Sequence, residues 1–356
     1  MTRPADDSDD ATPTAATDRA DDATATPDTS DAGGARRDAD APVASVSVVV
    51  PSFNHARFVE RTLRSVFAQT HAPAHLVVID DGSRDDSARV AGRALASCPF
   101  PCELVARENR GLAATLNEGL SRAAASRYFA YLGSDDLWTP EFLRERGGLL
   151  ERRERAVVAY GHCLYVDAED RVFDSTEDWA RYADGDARAM LWRGIGPHSP
   201  TVVYRRAAVG RYGWNERARL EDYELYLLLA EDGEFAFDAR ALAAWRVHGE
   251  NTSRDADFMR REWLAAQRRV AARIGMTDEK LARAQRAIEW NCAEHFARRG
   301  EKAKAVRLLY HGWRGVPSPS AAAKMLLRFA APQALVERRA RRRRSRAVER
   351  RDLRAG

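Results

Sequence analysis

No run in this sequence approaches the ~20 consecutive apolar residues that cross a bilayer, so no transmembrane segment is expected. Large apolar residues are also missing from the first 42 positions after Met1, which are mostly Asp, Ala, Thr, Pro, Gly and Arg. Such a segment buries too little surface to offset the entropy of ordering, and residues 1–43 read as a disordered acidic tail. It has neither the basic start nor the apolar centre of a secretory leader, which points to a cytoplasmic chain. Cysteine is scarce: Cys98, Cys102, Cys163 and Cys292 are too few and too scattered for a disulfide framework or a zinc site. Cys98-Pro-Phe-Pro-Cys102 is spaced to close a small loop under oxidation, yet the set reads as reduced thiols. Finally, no G-x-G-x-x-G and no Gly-rich loop bearing Lys or Arg follows the first apolar strand, which argues against a Rossmann dehydrogenase and a sugar nucleotidylyltransferase.

What is present suffices for real cores. The chain has 356 residues, 45% hydrophobic and 31% charged, enough for one large domain or two ordinary ones. Its net charge of +4 conceals an asymmetry, with eleven Asp against four Arg in residues 1–40 and ten Arg against three acids in residues 337–354.

The stretch Tyr128-Phe-Ala-Tyr-Leu-Gly-Ser-Asp-Asp-Leu-Trp-Thr-Pro140 passes from an apolar strand through paired carboxylates to a helix start. Thr139, Pro140 and Glu141 read as N-cap, first-turn proline and first-turn acid. Asp135 and Asp136 then stand at the C-terminal edge of a strand, where open α/β sheets bind ligands. Hard oxygen ligands there suit Mg²⁺ or Mn²⁺ holding a phosphate-bearing substrate. Ser134 and Asp135 equally fit the capping of a turn.

Upstream, Val46-Ser-Val-Val-Val50 is an apolar strand halted by Pro51-Ser-Phe-Asn54, and Phe58, Val59, Leu63, Val66 and Phe67 recur at helical spacing. Leu76–Asp80 is a second strand, from which Asp81-Gly82-Ser83 turns into a polar helix. Glu103–Arg107 gives a third strand and Gly111–Ala125 a helix. Apolar strands alternating with helices predict a mostly parallel sheet covered on both faces. Right-handed crossovers bring the polar strand ends to one edge, and Asn109-Arg-Gly111 adds a loop entering a helix N-terminus.

These residues resemble family 2 nucleotide-sugar glycosyltransferases with the GT-A fold over residues 45 to about 254. The likeness is carried by Val-Ser-Val-Val-Val-Pro-Ser-Phe-Asn54, Val-Val-Ile-Asp-Asp-Gly-Ser83, Asn109-Arg-Gly111 with Asn117, and Leu-Gly-Ser-Asp-Asp136. It implies that Pro51, Ser52, Phe53, Asn54, Asp80, Asp81, Gly82, Asn109, Gly111, Asn117, Ser134 and Asp136 surround a nucleotide sugar, most simply a UDP-sugar. It further implies that Asp135 holds the divalent ion at the diphosphate. Gly133 stands where many members carry the first Asp of the metal motif, and Leu116 where some carry an Arg. In Leu220-Glu-Asp-Tyr-Glu-Leu-Tyr-Leu-Leu-Leu-Ala230, Leu225, Leu228 and Leu229 mark a buried helical face, and the first-turn acids Glu221 and Asp222 complement the helix dipole. Resemblance makes Asp222 the base for an acceptor hydroxyl, and a positive helix terminus is expected to keep it ionised. Phe235–Val247 reads as two short strands. His248, just after them, is structural or, by resemblance, a second metal ligand.

From Phe258 onward the pattern is helical, with Pro317-Ser-Pro319 as a break. The expected organisation is a GT-A domain over residues 44–255, a helical region over 256–332 and a basic tail over 333–356. The implied activity is inverting, metal-dependent transfer of a sugar to a saccharide or lipid-linked acceptor, in polysaccharide or glycoconjugate synthesis. A non-enzymatic rival is a nucleotide-sugar-binding adaptor on a membrane surface. The arginine tail suits peripheral contact with an anionic membrane at the inner face of the cell, and no nucleic-acid partner is expected, since no aromatic residues interleave the arginines.

Overall fold

The computed structural model describes residues 44–123, 126–249, 255–298 and 300–330. The acidic segment 1–43, the whole of residues 250–254 and the basic segment 333–356 lie outside them.

The first half builds β1 (Val46–Ser52), α1 (Val59–Phe67), β2 (His75–Asp80), α2 (Ser87–Leu95), β3 (Cys102–Ala106), α3 (Leu112–Arg122) and β4 (Tyr128–Tyr131). These four strands are parallel in the order β3-β2-β1-β4, with Ser52 opposite Asp80 and Val46 opposite Tyr128. Alternate residues of each strand serve opposite faces. Val46, Val48 and Val50 pack with Leu63, Val66 and Phe142 on one side, while Val49 meets Leu116, Phe129 and Tyr131 on the other. The sheet is thus covered on both faces, as the continuous apolar strands require.

The second half is mixed. It comprises β5 (Leu137–Trp138), α4 (Phe142–Arg152), β6 (Ala156–Val166), β7 (Val172–Ser175), α5 (Arg188–Leu191), β8 (Val203–Arg205), α6 (Arg206–Tyr212), α7 (Glu221–Asp232) and β9 (Glu234–Arg246). The sheet continues from β4 through β8, β6 and β9 to β5, with β7 on β6. β4 pairs β8 antiparallel, and β6 pairs β9 in parallel. This mixed sheet with helices on both faces is the layout that the GT-A resemblance predicts.

Two local expectations need correction. The helix expected to begin at Thr139 begins at Phe142 with Glu141 as N-cap, because Leu137 and Trp138 form a strand against Ala244 and Ala243. Trp138 stacks on Phe142 at 4.3 Å and donates to the Pro200 carbonyl at 2.6 Å, contacts that override the capping signal. Phe235–Val247 gives one bent strand in place of two. Its register slips opposite Gly161–Cys163. There the buried Arg146 pairs with Asp238 at 2.6 Å, and a Cβ on Gly161 would come within 2.1 Å of the Arg146 guanidinium, so the strand bends around an arginine that only glycine admits.

The remaining helices are α8 (Ala256–Ile274), α9 (Asp278–Arg298), α10 (Lys302–Gly312) and α11 (Pro319–Ala330). They pack on the α/β unit. Gln267 on α8 donates to the Trp192 carbonyl at 2.8 Å and to Tyr223 Oη on α7 at 3.0 Å, and Arg269 pairs with Glu224 at 2.7 Å. Trp290 of α9 is fully buried in the same core.

Candidate functional site

The C-terminal ends of β1, β2 and β4 meet at one edge. After β1, Asn54 adopts a left-handed φ of 55°, a conformation Asn tolerates, and its Oδ1 accepts from Arg84 N at 2.8 Å. This turn delivers His55, whose own amide donates to Ser87 Oγ at 2.8 Å. His55 Nδ1 lies 2.8 Å from Ser134 Oγ and 3.7 Å from Asp135 Oδ1. From the other side His248 Nε2 lies 2.9 Å from Asp135 Oδ2. His55, Asp135 and His248 each offer one ligand atom, all within 4.8 Å of one another. Two imidazoles and a carboxylate fit a divalent metal ion.

Asp135 and Asp136 are neighbours with different surroundings. Asp136 Oδ1 accepts from the Arg246 amide at 2.9 Å, and Arg246 Nε donates to the Asp135 carbonyl at 2.6 Å. Arg246 is fully buried, ion-paired with Asp170 and lying over the Phe58 ring. Burial, with Asp135 adding to it, pushes the Asp136 carboxyl well up. Asp136 is therefore fastened to protein atoms, while Asp135 faces the two histidines. A Cβ at Gly133 would sit 3.0 Å from Asp135 Oδ1 and 3.1 Å from Asp136 Oδ2, so the acid pair fills the space that a side chain there would need.

The residues expected to surround the nucleotide are brought together, many through bonds to each other. Ser134 N donates to the Pro51 carbonyl at 3.3 Å and Asp81 N to the Ser52 carbonyl at 2.8 Å. Asp80 accepts from Ser83 N at 2.9 Å and Ser83 Oγ at 2.6 Å. Asp81 accepts from Arg107 and, at 2.8 Å each, from the amides of Arg110 and Gly111, while Asn109 Nδ2 donates to its carbonyl. Gly82, at φ 76°, passes so close that a Cβ would meet Asn109 N at 2.7 Å. Phe53 is 43% exposed at this edge, an available flat face. Asn117 is engaged elsewhere. It donates to the Trp214 carbonyl at 2.9 Å and accepts from Trp214 N at 2.8 Å, tying α3 to the loop before α7.

That loop leads to Glu221 and Asp222, both half-buried at the start of α7. Tyr131, the last residue of β4 and four before Asp135, donates to Asp222 Oδ1, and its ring packs edge-on against Trp214 at 5.9 Å. The helix terminus does not keep the acids in the ordinary carboxylate range. Burial pushes Asp222 up to about 6 and, helped by Asp222, pushes Glu221 up to about 8. His55, Tyr131 and Arg246 were not expected from sequence. His55 directly follows Pro51-Ser-Phe-Asn54 and Arg246 stands two residues before His248, the only signals that pointed to them.

Residues 47–213 match the family described as Glycosyl transferase family 2. Among curated relatives, an uncharacterized glycosyltransferase of Nostoc sp. is 26% identical over 216 residues, covering 58% of this chain and 66% of its own. Chondroitin synthase of Escherichia coli is 26% identical over 247 residues, covering 67% of this chain and 34% of its own. The chain thus spans under two thirds of the one and about a third of the other. Among solved structures, the mannosyltransferase PcManGT from Pyrobaculum calidifontis, in complex with GDP-Man and Mn²⁺, shares the fold with a TM-score of 0.57 at 18% identity, covering 86% of each chain. TarS of S. aureus in complex with UDP-GlcNAc does so with a TM-score of 0.54 at 15% identity, covering 84% of this chain and 92% of its own. The family match thus runs from β1 to α6, over the sheet edge described above.

Proposed function

We propose that this protein transfers a sugar from a nucleoside-diphosphate sugar to an acceptor hydroxyl, with inversion at the anomeric carbon, in the synthesis of a polysaccharide or glycoconjugate. The observation that carries the reading is a single strand, β4, whose Tyr131 holds Asp222 and whose end presents Asp135 between two histidines. Asp222 takes the proton from the acceptor hydroxyl. The oxygen then attacks the anomeric carbon, and the bond to the diphosphate oxygen breaks with its electron pair leaving on the nucleoside diphosphate. A carboxyl near pH 6 is basic enough to accept that proton and still ionised at neutral pH. One direct displacement gives inversion. A divalent ion bound by His55, Asp135 and His248 would supply positive charge beside the departing diphosphate. Phe53 and the Asp80–Asn109 edge would seat the base and ribose, with UDP as the first candidate. Much of the acceleration is expected from positioning and charge stabilisation.

Calorimetric titration with UDP, in the presence of Mn²⁺ and then of EDTA, tests the donor half. Affinity that survives both EDTA and Asp135→Ala would overturn it. Donor binding with no hydrolysis or transfer for any of a panel of nucleotide sugars would assign an adaptor instead.

A further inference from the structure

Of the nine most exposed large apolar side chains among the described residues, five fall between positions 306 and 327: Val306 at 58%, Tyr310 at 87%, Trp313 at 48%, Leu326 at 60% and Leu327 at 70%. Val306, Tyr310 and Trp313 follow each other by four and three residues, which puts them on one face of α10 and its continuation. On α11, Met325 turns into the core and leaves Leu326 and Leu327 outside. Lys302 Nζ donates to the Phe329 carbonyl at 2.7 Å, and Arg328 pairs with Glu294, so α10 and α11 are fastened to each other and to α9. The leucines are therefore displayed on a held element.

The same segment is cationic. Residues 300–330 contain six Lys and Arg against one acid, and residues 337–354 add ten Arg against three acids. We infer that α10 and α11 form a docking surface for an anionic lipid bilayer, with Val306, Trp313, Leu326 and Leu327 entering the headgroup boundary and the exposed Arg307, Arg314 and Lys324 meeting the lipid phosphates. A second copy of this chain is the poorer occupant, because pairing this face with itself would bring two strongly positive regions together. Nucleic acid would neutralise the charge but offers nothing for paired leucines. Among the described residues no helix is long and apolar enough to cross a membrane, so the contact is peripheral. The inference stands apart from the transfer reaction, and its failure would leave donor binding untouched.

The test is co-sedimentation of the full-length protein with vesicles of phosphatidylcholine, with and without phosphatidylglycerol. Binding is expected only with the acidic lipid and should weaken as salt rises. Leu326→Glu with Leu327→Glu should lower vesicle affinity about tenfold or more, with the melting temperature and the UDP titration unchanged. Replacing Arg341, Arg342, Arg343 and Arg344 by Gln should weaken binding at low salt. Should the double variant fail to fold, quenching of tryptophan fluorescence by lipids brominated in the acyl chains gives an independent reading, lost in Trp313→Phe. A wild-type protein that stays in the supernatant, or a folded double variant that binds equally well, overturns the inference. So does a dimer in sedimentation velocity that the double variant splits, which would make this face a self-association surface.

Discussion

Two pairs of adjacent acids flank β4, and they are handled in opposite ways. In Asp135–Asp136 the outer acid is met by nitrogen, two imidazoles on Asp135, while the buried Asp136 accepts from the backbone amide of Arg246. Glu221–Asp222 is met by hydroxyl, with Tyr131 donating to Asp222, and burial prevails, so both acids hold their protons more tightly than usual. A carboxylate among imidazoles is prepared for a cation, whereas one left to burial is prepared for a proton. The same dipeptide chemistry thus serves two purposes through its neighbours.

The sharpest way to break this contrast is Asp222→Asn, which keeps the shape and removes the proton acceptor. Transfer at saturating donor should fall by roughly 10²–10⁴-fold while UDP affinity with Mn²⁺ is unchanged. A near-normal rate would remove the second pair from the chemistry, and a large loss in Glu221→Gln alone would move the base to Glu221. His55→Gln probes the first pair, and should lower Mn²⁺-dependent UDP affinity by about 10–100-fold with little change in EDTA. Equal affinity for both proteins with Mn²⁺ would leave His55 as a partner of Ser134 only.

Asn117→Ala separates support from contact. If its role is to hold Trp214 behind Tyr131, the variant loses about 1–3 kcal/mol of stability, read from denaturant unfolding, and donor affinity stays constant. A donor defect without a stability loss would return Asn117 to the nucleotide. The smallest effect is in pH dependence. Acids raised on folding contribute stability that is complete below their unfolded value near pH 4 and is lost as pH climbs through about 6 and 8. Glu221→Gln cannot ionise, so its melting temperature should exceed that of the wild type by a few degrees at about pH 9 and match it at about pH 4. No gain at high pH would mean that Glu221 is better solvated than its surroundings indicate.

The parts legible in the sequence were those governed by local pattern. Val46–Val50, Leu76–Asp80 and Tyr128–Leu132 are unbroken apolar runs, and each is a central strand. The long strand Ala156–Val166 escaped notice because Gly161 and His162 interrupt its pattern, for a reason supplied by Arg146 from another element. Asp135 and His248 could be read from their place after strands. His55 could not, since a single histidine beyond a turn has no periodicity and owes its position to the backbone of Asn54. The raised pKa values of Glu221 and Asp222 depend on the core that buries them, which is tertiary information; their sequence position alone suggested the opposite.

Gly133 has a consequence for how such a site can change over generations. A Cβ at Gly133 would already crowd one oxygen of each neighbouring carboxyl, at 3.0 and 3.1 Å, so an Asp introduced there has to displace them before it can reach a metal. Restoring the first acid of the usual metal motif by that one substitution is therefore expected to harm the protein, unless Asp136 and its hold on Arg246 are altered as well. The three positions are expected to be epistatic, so that the common motif is regained only by changing them together.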